Sequence, residues 1–203
     1  MSETASGRYH IDLAPDGLAL VHELLNTIPA GRPRQPDLLS TPELARSWLH
    51  AAVSLWAART GANPPRDADL GEHDLARLRV LRDQLRALAS HASDLTGPEP
   101  AGSLRLTLTT DGKIAANPRG QGAAWVSSAV LAEIYLAQQH NFWQRLKICR
   151  NDRCGTAFYD RSRNNSGVWH DVHICGNAIN LRASRARRKQ APRDQPSPAP
   201  DPS

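Results

Sequence analysis

The sequence predicts a mainly α protein with a small β-hairpin, in which a helical N-terminal domain precedes a compact metal-stapled module and a basic helix. Three observations carry that reading. Leucine and tryptophan recur at helical spacing through residues 13–28, 40–59, 70–93 and 122–144. One stretch, Leu104 to Leu108, alternates apolar and polar residues and leads to a turn at Asp111-Gly112, the one hairpin signal in the chain. All three cysteines lie within residues 149–175, too close together to be scattered core residues. The expected domains are 1–144, 145–190 and a tail over 191–203, whose five prolines and lack of aromatics predict disorder.

Taken in order, Pro15-Asp16-Gly17 opens a first helix in which Leu18, Val21, Leu25 and Ile28 share a face. At its end, Asn26-Thr27 admits two readings: a polar pair capping the turn, or, for Asn26, part of a ligand pocket. Residues 30–37 read as a loop. Ser40-Thr41-Pro42-Glu43 starts a second helix, with Ser40 and Glu43 at capping-box spacing and Pro42 in the first turn, and Leu44, Trp48, Leu55 and Trp56 form its apolar stripe. A third helix over about 70–93 turns Leu75, Leu78, Leu81, Leu85 and Leu88 inward. Arg77, Arg79, Arg82 and Arg86 alternate with Glu72, Asp74 and Asp83, so they read as a solvated face. The hairpin follows, and then a fourth helix carrying Trp125, Val126, Val130, Leu131, Ile134, Tyr135 and Phe142 that runs without a Gly/Pro linker into the cysteine-bearing region.

With 203 residues and 40% hydrophobic content the chain can bury a real core. Its net charge of +5 is unevenly spread. Residues 1–144 carry 13 Lys and Arg against 15 Asp and Glu, a net of −2, whereas residues 145–190 carry 11 against 3, a net of +8. Lys113, Lys147 and Lys189 are the only lysines, so arginine as such says little and its clustering is the signal. The N-terminus MSETASGRYHID has no apolar core of the kind a secretory leader needs. The best apolar run, Ala123 to Ala137, is interrupted by Ser127, Ser128 and Glu133 and is too short to span a bilayer. The expectation is a soluble cytoplasmic protein with no membrane partner, in a compartment reducing enough to keep thiols free for metal.

The cysteines and one histidine make the pattern Cys149-x4-Cys154-x15-His170-x4-Cys175. Zinc takes four nitrogen or sulfur ligands tetrahedrally, and two short ligand pairs separated by a longer loop let each pair clamp the ion from its own turn. Three cysteines cannot all pair as disulfides within one chain; three thiolates and an imidazole fill a zinc shell with nothing left over. His173 leaves only Ile174 between itself and Cys175, a poor span for two ligands, so His170 is the expected one and a single structural Zn2+ the expected cofactor. Phe158 and Trp169 are large enough to cover such a site. In the intervening loop, Arg161 and Arg163 either meet phosphates or belong to a self-satisfied turn built around Asp160. Beyond Cys175 a helix places Arg182, Arg185 and Lys189 at i, i+3 and i+7, with Arg188 beside them, while Ile179, Ala183 and Ala186 face another way. Asn177 and Asn180 are candidates for base edges. A solvated C-terminal helix is the plainer alternative.

These residues resemble a known module. Cys149, Cys154, Phe158, Asp160, Ser162, Arg163, Asn164, Ser166, Trp169 and the run Cys175-Gly176-Asn177 with the arginines after it are similar to the CGNR-type zinc finger, a bacterial module found C-terminal to an ABATE-like domain. GLALVHELLNT, ending in Asn26-Thr27, resembles the opening of that N-terminal domain. Four positions depart from the pattern. His170 stands where the family usually has cysteine, Ala178 stands where its arginine belongs, and Gly167-Val168 replace residues that are commonly basic. The resemblance implies a treble-clef-like knuckle and a bacterial, stress-induced transcription regulator that binds zinc and DNA.

The leading expectation is therefore a regulator whose finger engages DNA, at the nucleoid, while residues 1–144 sense a small-molecule or protein signal or assemble a partner. The alternative is a zinc-stapled module that binds protein or RNA without reading DNA sequence. An enzyme is not expected. Catalytic zinc keeps one position open for water, whereas Cys3His closes the shell. The chain also lacks the His-x-Glu and Pro-Cys-x-x-Cys of zinc deaminases, a glycine-rich phosphate loop and a nucleophile elbow. The target sequence, the inducing ligand and the oligomeric state are not encoded in any motif.

Overall fold

The computed structural model describes residues 4–31, 34–65, 69–90 and 97–190, with the side chains of 189 and 190 outside the description. The expected disorder of 191–203 lies outside the described residues; the third helix, expected to reach Ser93, ends at Ala89 with Ser90 as its C-cap, and residues 91–93 lie outside the description. The chain divides into two compact units, 1–170 and 171–203. No helix among the described residues is long and apolar enough to cross a membrane.

The first unit is organised around α1 (Leu18–Leu25), eight residues that are all buried. The apolar stripe of the sequence accounts for its leucines and valine but not for His22 and Glu23, which are equally buried because each closes a hydrogen-bond circuit. Glu23 accepts the N–H groups of Ala5 (2.6 Å) and Ser6 (2.9 Å), which tether the short 3-10 turn Gly7–Tyr9 to the helix. Burial raises its pKa against those bonds. His22 Nδ1 accepts from Ala14 N–H at 3.1 Å, which leaves the ring proton on Nε2, 2.9 Å from the carbonyl of Ala157. Burial pushes the His22 pKa down to about 4, so the ring is neutral at pH 7.

Around α1 pack α2 (Pro42–Thr60), α3 (Glu72–Ala89) and α4 (Gly122–Gln139). The N-cap of α2 is Thr41, whose hydroxyl accepts from Leu44 N–H at 3.4 Å, and not Ser40 as the capping-box spacing suggested. Its buried stripe is Ala45, Trp48, Leu49, Ala52, Val53 and Trp56, while Leu44 and Leu55 are half-buried. In α4, Trp125, Val126, Val130 and Ile134 enter the core and Tyr135 stays exposed; Phe142, expected on the same helix, lies beyond its end and is also exposed. Trp56 meets Trp125 edge to face, centroids 5.7 Å apart.

The solvated arginine face expected on α3 is corrected by the structure. Arg82 is buried, paired with Asp37 at 2.8 Å and bonded to Thr27 Oγ1 at 3.1 Å. Arg86 donates to the carbonyls of Leu25 (2.9 Å) and Gly155 (2.6 Å), and Arg79 to that of Leu39 (3.0 Å). Arg77 alone of the four stands out in solvent. These guanidiniums act as cross-braces because their planar forks satisfy carbonyls at the ends of neighbouring elements.

The expected hairpin forms from β1 (Leu104–Leu108) and β2 (Ile114–Pro118), antiparallel with Leu106 opposite Ala116. A second, unexpected hairpin joins β3 (Leu146–Ile148) to β4 (Ala157–Tyr159), with Lys147 opposite Phe158. α4 leads to it through a 3-10 turn, Trp143–Arg145. Leu146 and Ala157 belong to the same buried core as the helices.

In the second unit a turn of π-helix, Val172–Gly176, is capped by the Asp171 carboxylate, which accepts Ile174 N–H at 2.8 Å, and runs into α5 (Asn177–Gln190).

Candidate metal centre

The turn between β3 and β4 is shaped to present two sulfurs. Cys149 N–H donates to Thr156 O at 2.9 Å and closes the ladder; Cys154 N–H donates to Asn151 O at 2.7 Å; and Gly155, at φ +66°, supplies the left-handed residue that lets the chain return into β4. The return from the following loop is fixed by Arg150 N–H on Val168 O at 3.0 Å. That placement brings His170 Nδ1 to 3.3 Å from Cys154 Sγ. Thr156 Oγ1 lies 3.1 Å from the same sulfur, a hydroxyl positioned to stabilise a thiolate. Hydrogen bonding from the Cys149 thiol, with help from His170 and Thr156, outweighs burial and holds Cys154 below the usual thiol range. Cys175 is buried at the end of the π-turn, its N–H bonded to Asp171 O at 2.9 Å, immediately before the N-terminus of α5, where a helix dipole favours a thiolate.

The ligand atoms of Cys149, Cys154, His170 and Cys175 all lie within 4.8 Å of one another. Zinc–sulfur bonds of about 2.3 Å at tetrahedral angles put ligands about 3.7 Å apart, so one ion fits with a small contraction. Three thiolates and an imidazole form a closed, structural zinc shell. His173 is exposed and not part of the group.

A buried ion pair holds the loop that carries the chain from Cys154 to His170. Lys147 Nζ sits 2.7 Å from Asp160 Oδ2 and also donates to Asn165 O (2.6 Å) and Gly167 O (3.1 Å). Asp160 accepts in addition from Ser162 N–H (2.9 Å) and Gly167 N–H (2.7 Å). A Cβ on Gly167 would stand 2.9 Å from that carboxylate, so only glycine lets the backbone come this close. Burial would raise the Asp160 pKa, but the Lys147 ammonium and the Ser162 and Gly167 donors outweigh it and hold the carboxyl well below its usual range.

The sequence-nominated polar residues fall in different surroundings. Arg161 donates to Leu13 O at 2.7 Å and lies over the Tyr159 ring, 5.5 Å from its centroid; it and Arg163 are both exposed. Asn177, Asn180, Arg185 and Arg188 are exposed on α5, Arg182 is half-buried and donates to Ala178 O at 3.3 Å, and the Lys189 side chain lies outside the description. Ala183 and Ala186 are exposed rather than packed.

Asn26, completely buried, donates to Ser6 Oγ (3.0 Å) and Ala157 O (3.1 Å) and accepts Ala157 N–H (2.8 Å). Its amide is engaged through both its nitrogen and its oxygen, so it ties α1 to β4. Sequence reasoning missed that clamp and its partners His22 and Arg86, along with Lys147 and Thr156. Only Asn26-Thr27 carried any signal of it, as a polar pair at the end of an apolar helix.

No curated protein matches the chain. Residues 145–188 match the family described as CGNR zinc finger, the segment that holds all four ligands. Residues 18–133, more than half of the chain, match the family described as "ABATE: Putative stress-induced transcription regulator", and the chain belongs to that family, with a CGNR zinc finger after it.

Proposed function

We propose that this protein is a DNA-binding transcriptional regulator of the bacterial cytoplasm, in which the zinc-held segment contacts DNA at the nucleoid and the N-terminal helices sense a signal. The observation that carries the proposal is the set of uncompensated arginines on the zinc-held segment. Residues 145–190 have 11 basic side chains against 3 acidic ones, and Arg150, Arg153, Arg163, Arg185, Arg187 and Arg188 are all exposed. Arg145, Lys147 and Arg161 tie separate parts of the fold together and are left out of the phosphate set, whereas Arg182, which bonds Ala178 O one turn back on α5, is kept. In this reading Arg185 and Arg188, one helical turn apart, and Arg182 meet phosphates, while Asn177 and Asn180 reach base edges. The protein is not read as an enzyme, because a closed Cys3His shell leaves zinc no position for water.

A salt titration tests it. Each phosphate contact contributes about −0.9 to the slope of log K against log salt. Replacing Arg182, Arg185 and Arg188 together by glutamine should flatten the slope by up to about 3 in fluorescence anisotropy on a duplex. An unchanged slope would remove α5 from the interface. A second reading, a zinc-stapled protein- or RNA-interaction module, is favoured by the exposed Val172, Ile174 and Leu181 at 59%, 65% and 52%. Salt-insensitive binding or a preference for RNA would select it.

A further inference from the structure

The first unit contains a cavity of about 740 Å³, lined by the hairpin β1–β2, the end of α2, the start of α1 and one side of α4. Its size is that of a small-molecule site, and Trp56, Ile114, Leu136 and Phe142 give it apolar and aromatic walls. One acidic group is set into them. Glu133, 8% exposed, receives the Trp56 indole N–H on Oε1 at 2.7 Å. Its other oxygen, Oε2, accepts no hydrogen bond among the described residues and lies against the bare Cα of Gly17, where any Cβ would overlap the carboxylate. Asp16, also on the wall, is a second carboxylate whose charge acts on Glu133.

No cation among the described residues forms an ion pair at this end of the cavity. The ion pairs among the described residues involve neither Glu133 nor Asp16. Of the three basic residues on the wall, Arg59 donates to Ala14 O at 2.7 Å, Lys113 pairs with Asp111 at 2.9 Å, and His140 lies beside the Phe142 ring, centroids 6.0 Å apart. Burial, reinforced by Asp16 and opposed by the Trp56 bond, raises the Glu133 pKa.

We propose that this cavity binds a small protonated amine carried on an apolar or aromatic body, with Glu133 as its counter-ion. A buried carboxylate with one oxygen unpartnered is unfavourable alone, and an ammonium supplies both the missing hydrogen bond and the missing charge. An anion would meet two carboxylates, and a neutral molecule would leave the charge uncompensated. The apolar walls take the body of the ligand. The site rests on the sensing role proposed above only for its biological meaning. Its position suits that role: Asp16 and Gly17 lead directly into α1, whose His22 and Asn26 hold β4 beside the zinc knuckle, so the eight-residue helix joins cavity to finger.

The test is a calorimetric titration of the full zinc-loaded chain with phenethylamine, compared with 2-phenylethanol, which has the same shape without the charge. The amine should bind one per chain and at least about tenfold more tightly than the alcohol, the factor expected of one charge-assisted hydrogen bond. Glu133→Gln, which can still accept from Trp56, should bring the amine down to the affinity of the alcohol. Ala115→Trp, on the hairpin rim and outside the core, should block both. Equal binding of amine and alcohol, undiminished amine binding in Glu133→Gln, amine binding that survives Ala115→Trp, or no saturable amine binding each overturns the proposal. DNA takes no part in these titrations, so a chain that binds the amine but ignores DNA keeps the site and refutes only the regulator reading.

Discussion

Replacing Asn26 by leucine is the sharpest test of how the helical core holds the zinc knuckle. The change keeps the number of side-chain heavy atoms and the branch at Cγ but removes three hydrogen bonds from a completely buried position. Ala157 O keeps His22 Nε2 as a donor at 2.9 Å, so the main loss is Ala157 N–H, which would be buried without an acceptor, together with the bond to Ser6. An orphaned buried N–H costs about 1–3 kcal/mol and a lost neutral bond about 1 kcal/mol, which gives a destabilisation of about 2–4 kcal/mol. For a urea slope of about 2 kcal/mol/M the midpoint should fall by about 1–2 M. Hydrogen exchange locates the effect: the Ala157 amide should exchange faster in the variant, while the buried amides of α4 change only as far as global stability requires. A midpoint shift under about 0.2 M, or an Ala157 amide as protected as before, would refute the clamp.

Three further outcomes are expected. Lys147→Met strands the Asp160 carboxylate at 4% side-chain exposure and should destabilise the chain by about 3–5 kcal/mol at pH 7; because Asp160 is held below its unfolded pKa, its contribution is full above about pH 4 and is lost as pH falls through the folded value, and an Asp160 carboxyl that titrates unchanged by NMR in the variant would exclude the pair as the cause. Native mass spectrometry should find zinc retained in His170→Cys and His173→Ala and lost in His170→Ala; stoichiometric zinc in His170→Ala with loss in His173→Ala would reverse the ligand assignment. Chelation should leave most of the far-ultraviolet helical signal, since α1–α4 hold 63 helical residues against 14 in α5; a global melt would show that core and finger form one cooperative unit.

The metal site was legible because zinc chemistry admits few residue types, so spacing alone separates His170 from His173. Helices α2 to α4 were legible through their 3.6-residue period, and β1–β2 through alternation and its Asp-Gly turn. What escaped the sequence depends on partners far along the chain. Arg82 and Arg86 sit among acidic neighbours and look solvated, yet their guanidiniums reach Asp37 and the carbonyls of Leu25 and Gly155. His22 and Glu23 interrupt an apolar pattern and look like an outer face, until Ala157, Ala5 and Ser6 are folded against them. At three residues each, β3 and β4 are too short to show alternation. Ser40 and Thr41 both satisfy the composition of a cap, and only the backbone turn chooses between them.

The claim that matters most is that the zinc-held segment reads DNA. Selection of bound fragments from a randomised duplex library by the full chain, run in parallel with zinc and with chelator, tests it directly. An enriched sequence is expected with zinc, disappearing under chelator and under the Arg182, Arg185 and Arg188 replacement, with weakened binding throughout at higher salt. Enrichment that is indifferent to zinc, or no enrichment in either arm, would contradict it.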